Sequence, residues 1–310
     1  MEKAKTYAAI DIGSNAARLL IKRIDQNAAK RSGFKKLLLL RVPLRLGFDV
    51  FKAGKLSKKK MEQVVRLLKA YRQLMKIYGV ETYRACATSA MRDAKNGKEV
   101  MQEVKKETGI TIEIISGQEE ARMIYENHVE CMQDRKGNYM YVDVGGGSTE
   151  INLLSDGVLC ASASYNLGTV RLLNDAVKPE VWERLATELA LLTQGMTDIS
   201  IIGSGGNINK LYRLAEKKDR KRQCFTVAAL RELYEELLPL TPEERMDQYA
   251  LKQDRADVIV PAAQIFLRIA EVIRATRIFV PVIGLADGII DDLYLAEKRR
   301  EELGVLIIED

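Results

Sequence analysis

Apolar residues along the chain fall into two repeats: short runs of strand length, and longer stretches spaced by three and four residues. Residues 7–10 and 19–21 are apolar runs on either side of Gly13-Ser14-Asn15, which predicts a strand, a tight turn and a second strand. About 130 residues later the pattern returns, with residues 139–142 and 151–154 flanking Gly145-Gly146-Gly147. Asp11-Ile12-Gly13-Ser14 therefore lines up with Asp143-Val144-Gly145-Gly146. Two such units predict an α/β chain of two related domains, residues 1–128 and 129–310, facing a shared cleft.

Between the two units the period changes to that of a helix. Met61, Val64, Val65, Leu68, Tyr71, Met75 and Tyr78 lay one apolar stripe on a helix that Ser57 can cap and Gly79 can end. Residues 35–46, 80–86 and 110–115 read as strands, while Asn96 with Glu99 and Ser116 with Glu119 stand at capping-box spacing. Further on, residues 158–164, 200–202 and 278–283 predict strands, and Pro179 and Thr241-Pro242-Glu243-Glu244 mark helix starts. Pro261 starts or kinks a long helical run. A last helix over residues 285–300 is expected to pack back on the first domain, with a hinge at residues 128–138.

Composition narrows the class without changing this outline. The 310 residues are 47% apolar, enough for two cores, and no run approaches the length of a membrane-spanning helix. The first strand begins within a few residues of Met1, so no secretory leader is expected and cytoplasmic residence is. Cys86, Cys131, Cys160 and Cys224 are too scattered for a disulfide framework or a Cys-x-x-Cys metal site. The sole histidine, His128, has no partner cluster and receives no role. A net charge of +6 suits a polyanionic substrate but is not concentrated enough for a nucleic-acid-binding domain.

The candidate chemistry gathers on the glycine turns. Consecutive glycines can aim several N–H groups at one anion, and Asp143 and Glu150 on either side are hard oxygen ligands suited to Mg²⁺. A plain hairpin turn with two surface carboxylates is the alternative, and recurrence of the pattern favours the phosphate cradle. Arg92 offers a planar fork of donors to phosphate, or else pairs with Asp93 at the surface. If Ser116 and Glu119 form a cap, Glu120 is the free carboxylate, at the C-terminal edge of a strand where α/β proteins place ligand clefts. There it could deprotonate a water, or simply complement a helix dipole.

Taken in order, Asp11-Ile12-Gly13-Ser14-Asn15, Ala87-Thr88-Ser89-Ala90-Met91-Arg92-Asp93-Ala94, Ser116-Gly117-Gln118-Glu119-Glu120-Ala121-Arg122, residues 143–150, Asn166-Leu167-Gly168, Gly203-Ser204-Gly205-Gly206-Asn207 and Gly284-Leu285-Ala286-Asp287-Gly288 resemble the Ppx/GppA family. That resemblance implies two actin-like, ribonuclease H-like domains with a cleft between them, in a short member of the family. It implies release of terminal phosphate from polyphosphate or guanosine pentaphosphate, with Glu120 as catalytic base and Mg²⁺ as cofactor. Ser14, Asn15, Arg92, Gly145, Gly146, Gly147 and Ser148 would then bind phosphate, and Asp11, Asp143 and Glu150 would serve the metal. Gly203, Gly205 and Gly206 resemble the adenosine-contacting loop of actin-like ATPases. Ala16-Ala17-Arg18 departs from the small polar residues many members carry there. No nucleic-acid or membrane partner is expected, a homodimer is possible, and a phosphotransferase or a nucleotide-binding regulator with little turnover are the competing classes.

Overall fold

A computed structural model describes residues 5–24, 33–129, 136–281 and 284–308. The first half runs β1 (Thr6–Ile12), β2 (Ala17–Ile24), β3 (Phe34–Val42), α1 (Leu46–Ala53), α2 (Lys58–Ile77), β4 (Thr82–Ala87), α3 (Ser89–Asp93), α4 (Gly97–Thr108), β5 (Ile112–Ile114) and α5 (Gly117–Val129). The second runs β6 (Asn138–Val144), β7 (Thr149–Ser155), β8 (Val158–Tyr165), α6 (Thr169–Leu173), α7 (Pro179–Leu192), β9 (Ser200–Ser204), α8 (Gly205–Leu214), β10 (Cys224–Thr226), α9 (Val227–Leu237), α10 (Pro242–Tyr249), α11 (Gln253–Ala256), α12 (Ile259–Val272), β11 (Arg277–Phe279) and α13 (Leu285–Ile308). The expected α/β class is the class observed. The proposed hinge falls partly on residues 130–135, outside the described residues.

Each half is organised round one hairpin. In the first sheet, ordered β3-β2-β1-β4-β5, β1 and β2 pair antiparallel while β4 joins β1 in parallel after the α1–α2 crossover. The second sheet repeats that plan as β8-β7-β6-β9-β11, with β10 added at its far edge. The repeat extends to register: Asp11 lies opposite Arg18 as Asp143 lies opposite Glu150. Because side chains alternate across a strand, Ala8, Ile10 and Ile12 of β1 pack under α2 and α4, with Val64, Leu68 and Tyr71. Tyr7 and Ala9 point the other way, onto Leu285, Ile289 and Ile290 of α13. The last helix thus covers the outer face of the first sheet. Gly288 lets it approach closely, since a Cβ there would come within 2.5 Å of the Met123 carbonyl oxygen on α5.

Caps divide between those that local chemistry sets and those that the tertiary fold redirects. Ser57 accepts the Lys60 N–H at the start of α2, and Thr241 with Glu244 forms a complete reciprocal box. Asn96 precedes α4 as expected but does not cap it; its amide exchanges two 2.9 Å hydrogen bonds with the Leu56 backbone. A two-donor, two-acceptor match to a neighbouring segment displaces a single cap bond. Ser116 accepts the Glu119 N–H at 3.1 Å, whereas the Glu119 carboxylate turns outward to Arg84 at 2.8 Å.

Candidate functional site

The two hairpin turns have the same construction and meet across the molecule. Gly13 N–H donates to Ala16 O at 3.1 Å, and Gly145 N–H donates to Ser148 O at 2.9 Å. A Cβ at Gly146 would lie 2.9 Å from Ser14 Cβ, and one at Gly147 would lie 2.4 Å from Ser89 Oγ. Only bare backbone allows that approach. Beside the contact opens a cleft of about 460 Å³, reached by Asp11, Ser14, Asn15, Glu120, Asp143, Gly145, Gly146, Ser148, Gly205 and Gly206 among the residues singled out from sequence. Arg92, Gly147, Glu150 and Gly203 are not on its lining.

Each of these four sits one layer back. Gly147 faces Ser14, Ser89 and Phe51 of the first half. Gly203 packs on Ile208, so it serves the strand-to-helix turn rather than the cavity wall. The Arg92 guanidinium donates to the Ile115 carbonyl at 2.7 Å, behind α5, and its charge favours ionisation of both Glu120 and Glu150. Glu150 is buried and accepts a 2.9 Å hydrogen bond from the Ser164 hydroxyl.

The cleft side is more exposed to chemistry. Ser14 Oγ shares a 2.8 Å hydrogen bond with Ser89 Oγ and accepts the Ala90 N–H, which ties the first turn to the start of α3. Asn15 donates to the Asp254 carbonyl at 3.1 Å, while its own side-chain oxygen is buried with no partner. Asp11 is paired with Arg18 at 2.5 Å, so the departure at Ala16-Ala17-Arg18 supplies this carboxylate's counter-charge. Asp143 accepts from Ser204 Oγ at 3.1 Å, and Gly205 leaves room for it where a Cβ would come within 2.6 Å of its Oδ1. Glu120 Oε2 is buried without any hydrogen-bond partner.

Several carboxylates so close together, and out of water, resist ionisation. Burial, reinforced by Glu150, Asp11 and Asp143, raises the Glu120 carboxyl well above the usual range. Burial and Asp143 push Glu150 from its ordinary 4.5 up to about 7, and burial raises Asp143 against the opposing charge of Arg18. Arg18 lies across the first hairpin from Asp11, so it faces this cluster from β2. The consequence for metal-free stability has a definite sign. Between pH 4.5 and 7 the native protein keeps a proton on Glu150 that the unfolded chain has lost, so unfolding becomes easier as pH rises through that window. Each pH unit of that difference costs about 1.4 kcal/mol per group. Thermal melts in chelator are expected to show a falling midpoint from pH 5 to 7.5; a flat or rising midpoint would contradict the cluster.

The same arrangement suits a divalent cation. Among the described residues no three His, Cys, Asp or Glu side chains converge into a full protein cage. Mg²⁺ needs only one or two carboxylates, with water and substrate phosphate completing its shell. Asp11 and Asp143 on the cleft wall supply such carboxylates, and the partnerless Asn15 side-chain oxygen lies on the same lining.

Sequence reasoning gave no role to Arg255 or Arg171. Arg255 lines the cleft against Gly206 and Asn207, where burial, Arg41 and Arg18 lower its pKa to about 9. No local motif announces it. Lys36, Lys210, Arg213 and Lys252 add positive charge to the same cleft, so polyanions are favoured there.

Paired hairpin-centred sheets with a cleft between them define an α/β protein of the actin-like class. Residues 21–297 match the model of the Ppx/GppA phosphatase family, and the chain belongs to that family. Exopolyphosphatase 1 of Mycobacterium tuberculosis is 27% identical over 274 residues, covering 82% of this chain and 78% of that protein. The guanosine-5'-triphosphate,3'-diphosphate pyrophosphatase of Aeromonas salmonicida is 24% identical over 94% of this chain, which spans 60% of that protein's length. The crystal structure of an Aquifex aeolicus Ppx/GppA family member superposes with a TM-score of 0.74 at 27% identity, over 95% of this chain and 99% of that one. An exopolyphosphatase from Cytophaga hutchinsonii shares the fold, with a TM-score of 0.77 at 22% identity over 92% and 96%.

Proposed function

We propose that the chain is a Mg²⁺-dependent phosphohydrolase that releases terminal orthophosphate from inorganic polyphosphate or from guanosine pentaphosphate, with Glu120 as general base. The observation that carries this reading is Glu120 itself: a buried carboxyl lining a basic, glycine-rimmed cleft, with one oxygen unpartnered. Relatives named as exopolyphosphatase and as guanosine pentaphosphate pyrophosphatase support the choice of substrates.

In this mechanism the Gly145-Gly146 turn and the Ser14-Asn15 turn hold the terminal phosphate between the two halves. The cleft's lysines and arginines balance the remaining charge. In its ionised form Glu120 takes a proton from the attacking water as the new oxygen–phosphorus bond forms and the terminal phosphoanhydride bond breaks, the electron pair leaving on the bridging oxygen of the shortened polyphosphate or nucleotide. Its raised pKa makes it a stronger base than an exposed glutamate once ionised. Asp11 and Asp143 on the cleft wall, with Glu150 reached from one layer behind, are the residues that would hold Mg²⁺, which when bound would neutralise phosphate charge. Asp143→Asn or Glu150→Gln is expected to raise the Mg²⁺ concentration for half-maximal rate. Unaltered metal dependence in both variants would remove them from the metal site.

The direct test is inorganic phosphate release from polyphosphates of several lengths, guanosine pentaphosphate and ATP, each with and without Mg²⁺. Release without an organic acceptor separates a hydrolase from a phosphotransferase. Tight binding with no release would instead identify a regulator.

A further inference from the structure

Arg171 lies outside every motif that pointed to phosphate, yet it is buried and makes more specific contacts than any other arginine beside the second glycine turn. Its Nε donates to the Gly147 carbonyl at 2.8 Å. Its Nη2 reaches Asp93 Oδ2 at 2.6 Å, and its guanidinium lies 4.1 Å from the centre of the Phe51 ring. Asp93 follows the first sheet's β4 on α3, and Phe51 belongs to α1, so both partners come from the opposite half of the molecule.

The backbone around Arg171 completes the pattern. Thr169 N–H donates to Gly145 O at 3.0 Å, and the N–H groups of Val170 and Arg171 donate to Gly146 O at 2.8 and 3.0 Å. Three successive carbonyls of the turn are therefore held by residues 169–171. In a trans peptide the N–H points opposite to the carbonyl of the preceding residue, and no cis bond occurs among the described residues. Fixing the carbonyls of Gly145, Gly146 and Gly147 thus fixes the N–H groups of Gly146, Gly147 and Ser148 on the far side of the turn. The Gly146 carbonyl is held by backbone alone, and that of Gly145 by the Thr169 N–H with its hydroxyl adding a 3.4 Å hydrogen bond. The third depends on the Arg171 side chain, whose other end is anchored across the cleft.

We infer that Arg171 is a positioning residue: it orients the last peptide of the glycine turn for phosphate, and it does so fully only when Asp93 and Phe51 of the first half are docked against it. The inference rests on the reading of the turn as a phosphate site. It gives the two halves a coupling that needs no substrate contact by Arg171. Lysine cannot reproduce it, because one ammonium cannot span a carbonyl, a carboxylate and a ring face at once.

The experiment compares wild type, Arg171→Lys, Arg171→Ala, Asp93→Asn and the Arg171→Ala/Asp93→Asn double variant. Tripolyphosphate binding is measured by calorimetry, phosphate release by steady-state kinetics and folding by thermal melts. Loss of one buried charge-assisted contact predicts tripolyphosphate binding weaker by about 10-fold in Arg171→Lys, with the Arg171→Ala effect at least as large. Asp93→Asn should weaken binding several-fold, and the double variant should bind no worse than Arg171→Ala, because both changes act through one side chain. Additive losses, or binding within twofold of wild type in Arg171→Lys and Asp93→Asn while the melting point falls, would overturn the inference and leave Arg171 a packing residue. Wild-type protein that binds tripolyphosphate without hydrolysing it would sink the hydrolase reading and still let the binding arm decide. Wild-type protein that binds none would sink both.

Discussion

Replacing Glu120 with glutamine is expected to lower turnover by roughly 10²- to 10⁴-fold while tripolyphosphate binding stays close to wild type. The substitution keeps the side chain's length and the start of α5 but removes the carboxylate assigned to accept a proton from water. It also removes a carboxyl that burial and Glu150 already disfavour in the charged form, so the melting point should hold or rise. Glu119→Gln is the matched control. Glu119 turns to Arg84 on the surface side, where an ion pair contributes little, and its loss should change turnover by less than a few-fold. The wild-type rate should climb with pH through an apparent pKa above the usual carboxylate range, since the base must ionise before it can act. That limb should vanish in Glu120→Gln. Equal losses at Glu119 and Glu120 would defeat the assignment.

The difference between the two glutamates shows what a sequence can and cannot disclose. Ser116 at capping distance from Glu119 was enough to mark the helix start, because a cap is decided within four residues, but only half of the expected box forms and the Glu119 carboxylate goes to Arg84. The hairpins were equally legible: an aspartate and a small-residue turn between two apolar runs fix the strands and their pairing together, which is why Asp11 and Asp143 land at equivalent places. Contacts made through space left no such trace. Asn96 has the right spacing to cap α4, but only the folded chain brings Leu56 to its amide. Arg92 stands in a motif of small residues that suggested direct contact with phosphate, and nothing local announces that one of its guanidinium nitrogens donates to the Ile115 carbonyl just past β5. Arg171 and Arg255 gain their surroundings from the other half of the molecule or from the opposite wall of the cleft. One signal was available for Arg18: in a two-strand hairpin closed at Gly13, residue 18 must lie across from residue 11. The last helix was expected over the first domain from its position in the chain, while the reason it fits, a glycine at the crossing with α5, appears only in three dimensions.

Gly168→Ala is expected to be the most damaging single methyl group that can be added near the site without touching a charged residue. Gly168 has an extended backbone that any residue could adopt, so the argument is one of space alone. A Cβ there would lie 2.4 Å from Gly147 N and 2.5 Å from both the carbonyl carbon and oxygen of Gly146. All three are backbone atoms of the glycine turn, and none can rotate out of the way as a side chain could. Relief requires α6 to move off the turn, which breaks the donations from Thr169, Val170 and Arg171 to the three loop carbonyls. The turn's N–H groups would then lose their fixed direction. Overpacking of this kind costs about 1–3 kcal/mol of stability, and a shift of about 1 Å in a group that positions substrate can cost about 10²-fold in rate. The variant should therefore fold, melt at a lower temperature, and lose both tripolyphosphate affinity and turnover. Gly195 supplies the comparison, since no atom lies within 4 Å of its Cβ position, although its positive φ of 79° adds local strain. Gly195→Ala should lower the melting point through that strain and leave turnover per folded molecule at the wild-type value. A Gly168→Ala protein that hydrolyses at the wild-type rate would show that α6 does not set the turn's geometry.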